Sequence, residues 1–205
     1  AVHVEVDTGM RRMGLAEADA VAFCERVAAD DALALEGVFT HFACADDEDL
    51  EHALEQCRRF RAVLAELAAR GLDGLDVHAA NSAALLAPRV LEALPEATAV
   101  RPGLALYGVA PAPHLADAEL RAVMSLRAPV VQIRDVKPGD TVGYGATWRA
   151  ERATRIATVA LGYADGMPWT AGSGGRANSD ETRGARVWLG GTSCPVAGRI
   201  SMDSI

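Results

Sequence analysis

The stretch HVEVDTGMRRMGL, His3 to Leu15, continues an alternation that starts at Val2: Val2, Val4 and Val6 alternate with His3, Glu5 and Asp7. Apolar residues at a period of two predict a strand over residues 1–7 with one face toward a core. The alternation then stops in an acid, the turn-forming Thr8-Gly9 and two arginines. Polar chemistry is thus placed where the strand ends, and the rest of the first half repeats that arrangement.

AEADAVAFCERVAAD, residues 16–30, predicts an alanine-rich helix, and LEGVFTHFA, Leu35 to Ala43, a second strand. Asp46 or Asp47 is a candidate cap for the next helix. There Leu50, Leu54, Cys57, Phe60, Leu64 and Leu67 recur at three- or four-residue spacing until Gly71. LDVHAA, Leu75 to Ala80, predicts a third strand, followed by a helix from about Ser82 to Leu94 interrupted by Pro88. ATAVRPG, ending at Gly103, predicts a fourth strand. Strict β-α alternation implies an α/β fold with a parallel sheet. In such sheets and barrels, chemistry gathers at the C-terminal strand ends. Asp7 to Arg12, His41, His78 to Ser82 and Arg101 to Leu104 all fall there, a pattern that a purely structural domain explains poorly.

Beyond about residue 118 the helical spacing fades. APVVQIRDVKPGDTVGYG and RIATVALGYADG are β-like, with Pro138-Gly139-Asp140 as a turn. Ala171 to Arg186 reads as a polar, glycine-rich loop. The expected domains are residues 1–118 and a mostly β segment, 119–205, without an internal repeat.

Composition narrows the partners. A net charge of −8 argues against a general attraction to nucleic acid or anionic membrane. No apolar run approaches the roughly 20 residues that span a bilayer, and no signal peptide is apparent at residue 1. Cys24, Cys44, Cys57 and Cys194 form no C-x-x-C pair. They read as reduced packing residues of a cytoplasmic protein rather than as metal ligands or disulfides. Nineteen of the basic residues are arginine; the single lysine is Lys137.

Seven segments, VDTGMRRMGL, GVFTHFACADD, HAANSAA, RPGLALYGVAP, VGYGATW, LGYADGMPW and GRISMD, occur in an order and at spacings that resemble alanine racemase. That family joins a TIM-type barrel to a β domain and uses pyridoxal 5'-phosphate. The resemblance implies the C-terminal half of a (β/α)8 TIM-type barrel followed by a mostly β domain. It starts at the family's fifth barrel strand and lacks the earlier region that carries the cofactor lysine. Lys137, in a turn of the β segment, does not match that lysine. The chain is therefore expected to be a fragment, inactive by itself and prone to aggregate or to bind hydrophobic dye through exposed sheet edges.

The resemblance also implies roles. Arg101 matches the arginine that faces the cofactor's pyridine nitrogen. Arginine has five donors and does not deprotonate in proteins, so it keeps that nitrogen unprotonated and favours proton return over transamination. Asn81, Ser82, Gly103 and Leu104 match phosphate contacts; Asn81 and Ser82 open a helix, and Gly103 permits close approach. Ser82 is also a candidate plain N-cap. His41 and His78 line the pocket, with His41 near Tyr144 and Arg101, and His78 buttressing Arg101. Tyr144 is the expected second base, opposite the missing lysine and reaching the partner subunit's cofactor in a homodimer. Arg12 matches an arginine near the substrate carboxylate. Glu5, where many relatives have a carbamylated lysine, is expected to orient it. Met202 and Asp203 match a substrate-contacting segment, with Ser201 where the family commonly has cysteine. Tyr163 matches the entryway, and Tyr107 is expected to pack near the barrel's end.

The activity implied is interconversion of L- and D-alanine for cell-wall precursors. Competing readings are a broad-specificity or serine racemase of the same fold and a non-catalytic phosphate- or cofactor-binding module.

Overall fold

The computed structural model describes residues 1–116, 119–173 and 185–205. Most of the expected loop at 171–186 lies outside the described residues. The chain divides into Ala1–Ser125 and Leu126–Ile205.

In the first unit, β1 (Val2–Asp7), a short β2 (Leu15–Ala16), β3 (Leu35–Phe39) and β4 (Asp76–His78) form a parallel sheet in the order β2-β1-β3-β4. Helices α1 (Glu17–Ala28) and α2 (Glu51–Ala69) supply the crossovers. Register decides which face does what. Val4, Val38 and Val77 lie side by side across β1, β3 and β4 and are all buried. With Val6 they meet Ala20, Cys24, Ala53, Cys57 and Phe60 of the two helices in one core. The opposite face carries His3, Glu5, Phe39, Asp76 and His78, none of them buried, arranged in two rows across Gly37. The valine alternation in the opening stretch thus separates a packed face from a polar one.

Several boundaries differ from those expected. The second strand ends at Phe39 rather than Ala43, and the third spans only Asp76–His78, so His41 stands in a loop beyond its strand. Helix α2 begins at Glu51, because residues after Asp46 and Asp47 stay in turns that bury Ala45; the Asp49 carboxylate accepts the Glu51 N–H at 3.0 Å. It ends at Ala69, with Gly71 in the left-handed region (φ +76°). The interrupted third helix is two pieces, α3 (Ser82–Leu85) and α4 (Pro88–Glu92), with Pro88 at the first position of α4, where its missing N–H is harmless.

The fourth strand does not form: only a bridge joins Ala99 to His78. The Thr98 side chain takes the Val77 N–H at 3.0 Å, a ladder position that backbone would otherwise fill. Four residues on, Pro102 lacks a donor and restricts Arg101. The segment is instead fastened by the Arg101 N–H donating to the Ala80 carbonyl at 2.8 Å. The first unit also extends past residue 118. The Val123 N–H donates to the Tyr107 carbonyl at 3.3 Å, and the Arg121 main chain lies against Gly108.

The second unit consists of antiparallel pairs: β5 (Val130–Val136) with β8 (Thr154–Val159), β6 (Thr141–Val142) with β7 (Trp148–Arg149), and β9 (Arg186–Leu189) with β10 (Thr192–Pro195). The Pro138-Gly139-Asp140 turn is closed by the Lys137 N–H donating to the Asp140 carboxylate at 2.8 Å, and Gly139 adopts φ +92°. Among the described residues, no helix is long and apolar enough to cross a membrane.

Phe60, fully enclosed between α2 and the sheet, anchors the first unit's core. Phe60→Ala should lower stability by about 3–5 kcal/mol in denaturant unfolding. Glu66→Ala, which removes an exposed ion pair with Arg70, should leave the unfolding midpoint nearly unchanged.

Candidate functional site

Arg101 organises the polar end of the sheet. Its Nη1–H donates to His78 Nδ1 at 2.5 Å. Its Nη2 donates to the Thr40 carbonyl at 2.8 Å and to His41 Nδ1 at 3.2 Å. The guanidinium also lies over the Phe39 ring, 4.9 Å from its centroid. Phe39 in turn stacks on His78 at 4.9 Å with 16° between the planes. Because arginine has no acceptor, each histidine nitrogen facing it must be unprotonated, and neutral His41 and His78 carry their protons on Nε2.

Electrostatics agree with that assignment. Burial, then the Arg101 charge, then nearby His3 push His78 down to about 4 from an ordinary 6.5. His41 is lowered by burial first, then by Arg101 and Arg12, against a smaller upward pull from Glu5. Burial also lowers Arg101, with Glu5 opposing. It remains a cation beside two neutral imidazoles. The Nε–H and the second Nη1–H of Arg101 take no acceptor among the described residues.

The structure brings Arg101, His41 and His78 together and places Glu5 on the same face of the sheet as His78. It does not join Glu5 to Arg12. Among the described residues no ion pair within 4.0 Å links them, and Arg12 is exposed. The acid that shapes this turn is Asp7. Its Oδ1 accepts the Gly9 and Arg11 N–H groups, each at 3.0 Å, and its Oδ2 pairs with Arg11 at 3.3 Å. These bonds hold Asp7 below the usual carboxylate range, the Arg11 backbone contributing most, and fix Arg11 at φ +57°.

Asn81, rather than Ser82, caps α3: its Oδ1 accepts the Ala84 N–H at 3.0 Å. The Ser82 hydroxyl reaches across to accept the Gly103 and Ala105 N–H groups at 2.8 and 3.1 Å. The hydroxyl therefore ties the loop after Arg101 to α3 and occupies the Gly103 donor. Leu104 opens the 3-10 turn Leu104–Tyr107, whose first N–H groups have no partner within the turn. Tyr107, expected to pack, is 63% exposed, because no residue of that turn is buried.

Beneath these residues lies a buried polar knot that the sequence reading missed. Gln56 of α2 donates from Nε2 to the His41 carbonyl (2.9 Å) and to Thr8 Oγ1 (3.1 Å), and its Oε1 accepts the Ala43 N–H at 3.0 Å. Thr8 and Thr40 share a hydrogen bond at 2.7 Å. The knot joins the ends of β1 and β3 to α2 and holds the main chain that presents His41 and the Thr40 carbonyl. The one available signal was a glutamine interrupting the apolar stripe between Ala53 and Phe60.

In the second unit Tyr144 is 69% exposed, on a turn flanked by left-handed Gly143 and Gly145 (φ +74° and +75°), so it is not a packed aromatic. Tyr163 is brought to Met202 and Asp203. The Tyr163 N–H donates to the Ser201 carbonyl and the Ala164 N–H to the Met202 carbonyl, both at 3.0 Å. Gly162 permits this, since a Cβ there would lie 2.1 Å from the Met202 oxygen. The four cysteines are free, and among the described residues no cluster of metal-ligating side chains occurs.

A parallel sheet with an arginine and two histidines at its strand ends, followed by a β unit, defines a partial barrel with a preorganised cationic site. Comparison with known proteins gives the family. The model for the alanine racemase N-terminal domain matches residues 1–111, and that for the C-terminal domain matches residues 123–205. The chain belongs to the alanine racemase family. It is 45% identical over 203 residues to the alanine racemase of Deinococcus radiodurans, covering 99% of this chain and 52% of that protein. The crystal structure of alanine racemase from D-cycloserine-producing Streptomyces lavendulae superposes with a TM-score of 0.79 at 37% identity, over 98% of this chain and 51% of that one. Alanine racemase from Bartonella henselae with covalently bound pyridoxal phosphate gives a TM-score of 0.73 at 30% identity, over 98% and 50%. The chain spans about half the length of the relatives it matches.

The depressed histidines have a consequence for stability. In the fold they stay neutral while the unfolded chain takes up protons below about pH 6.5. Their penalty is absent above that pH and grows as the pH falls toward about 4. Urea midpoints measured between pH 7 and 4.5 should fall steadily, and His78→Gln should flatten the slope.

Proposed function

We propose that this chain forms part of the active site of a pyridoxal-phosphate-dependent alanine racemase that interconverts L- and D-alanine and supplies D-alanine for peptidoglycan. The observation that carries the reading is Arg101, fixed by His78, His41 and the Thr40 carbonyl, with its Nε–H uncommitted among the described residues. That donor fits a pyridine nitrogen, which an arginine can hydrogen-bond but hardly protonate. When bound, the cofactor supplies the electron sink that acidifies the substrate's α C–H.

The chain's own residues then divide the work. Arg101 holds the ring nitrogen, while the neutral His41 and His78 keep the guanidinium in place without competing for its charge. Asn81, Ser82, Gly103 and Leu104 form the loop pair that faces the phosphate. Ser82 serves partly by fastening that loop, and the Leu104 N–H is the donor least committed to the fold. Tyr144 removes or returns the α-proton from one face, its glycine-flanked turn leaving the phenol accessible. Arg12 binds the substrate carboxylate, Glu5 supplies the negative charge that offsets the arginines, and Tyr163, Met202 and Asp203 line the substrate's approach. Tyr144 reaches the partner subunit's cofactor in this reading, and the active form is a homodimer, working in the cytoplasm.

The test uses the full-length protein with added pyridoxal phosphate and either enantiomer of alanine. Racemisation is expected, and Tyr144→Phe should cut kcat by about 10²–10⁴. Cofactor binding without racemisation would favour the binding module, and equal kcat/KM for serine the broad-specificity enzyme. Glu5→Gln should raise the KM for alanine several-fold with a smaller effect on kcat. Unchanged kinetics would remove Glu5 from the site.

A further inference from the structure

The face of the sheet that holds Arg101 carries one more histidine. His3, on β1, lies two strands from His78 on β4, with β3 between them. Its Nδ1 nevertheless stands 2.8 Å from His78 Nε2, and the ring centroids are 5.0 Å apart. The crossing is possible because the residue of β3 beside His3 is Gly37. A Cβ at position 37 would lie 2.3 Å from His3 Nδ1 and 2.6 Å from the Asp76 carbonyl. Gly37 has no positive φ requiring glycine. What requires it is the ring lying across it, together with the neighbouring main chain.

Proton accounting gives the contact a direction. Arg101 can only donate, so His78 Nδ1 is an acceptor and the single proton of neutral His78 sits on Nε2. That N–H points at His3 Nδ1, which must therefore accept. We propose that His3 is a positioning residue for the ring-nitrogen site. Seated over Gly37, it accepts the Nε2–H of His78 and so holds His78 in the tautomer and orientation that receive Arg101. This rests on the reading of Arg101 as the pyridine-facing group. The hydrogen-bond relay itself lies wholly within the first unit and does not depend on any bound molecule.

The experiment is NMR of the histidine ring nitrogens and their protons in the full-length protein without added cofactor. In the unaltered protein the His78 Nε2–H should be protected from solvent exchange and Nδ1 should show the unprotonated signature. His3→Ala should speed exchange of that proton at least tenfold. Gly37→Ala, which displaces the ring, should do the same, and the double variant should add nothing further, because both changes break one contact. His3→Asn, whose Oδ1 takes the place of Nδ1, should restore protection. A structural role alone would lower stability without this rescue. Protection unchanged in His3→Ala, additive effects of the two substitutions, or no rescue by asparagine would each overturn the proposal. None of these outcomes depends on racemisation, so failure of the proposed activity would be seen separately.

Discussion

A half-buried cation must be matched by acceptors, and the polar end of the first unit is arranged around that requirement. Arg101 sits between two imidazoles and a main-chain carbonyl, and all three acceptors are neutral. An ion pair would have satisfied the guanidinium too, but a carboxylate in direct contact would take its donors, whereas Glu5 acts on Arg101 only through its charge. Neutral acceptors fix the geometry and leave the charge to act on whatever faces it. The depressed histidines follow from the same choice. A proton on either ring nitrogen that faces Arg101 would set two donors against each other.

That arrangement is reached through main chain as much as through side chains. The His41 loop, which follows the Thr40 carbonyl, is held from below by Gln56, which bonds the His41 carbonyl and the Ala43 N–H and so ties the loop to α2. The Thr8–Thr40 bond ties β1 to β3 at the same level. No buried side-chain polar atom among the described residues lacks a partner, so the knot satisfies its own desolvation while fixing the loop. Ser82 does comparable work on the other side by fastening the Gly103–Ala105 segment to α3.

The sequence made legible whatever depends on periodicity. The valines of β1, the Cys57, Phe60 and Leu67 part of the α2 stripe, and the Pro88 break appear where hydrophobic spacing and proline chemistry put them. It overstated strands wherever a side chain replaces a ladder bond, as Thr98 does for Val77. It also placed a cap at Asp46 or Asp47 because aspartate alone does not reveal which turn it closes. The strand-end placement of Arg101, His41 and His78 drew notice in the sequence, but their roles came from the family resemblance and not from position alone. Gln56 and His3 were not legible, because their roles depend on contacts across the sheet and on a glycine between strands, which only register reveals. Asp7 shapes the turn at Gly9 and Arg11, a role not read from the sequence, because a carboxylate two residues before a glycine reaches the backbone donors that follow it.

In the second unit, Gly162 makes the Tyr163 turn and the Met202 main chain effectively one body, with no room for a side chain between them. Residues that would face a substrate from these two segments therefore cannot drift independently. An exchange of the 201–203 stretch for one of another shape would carry the tyrosine with it. The two segments thus change as a block, and a single substitution at Met202 alters side-chain volume against a spacing that the paired backbones already set.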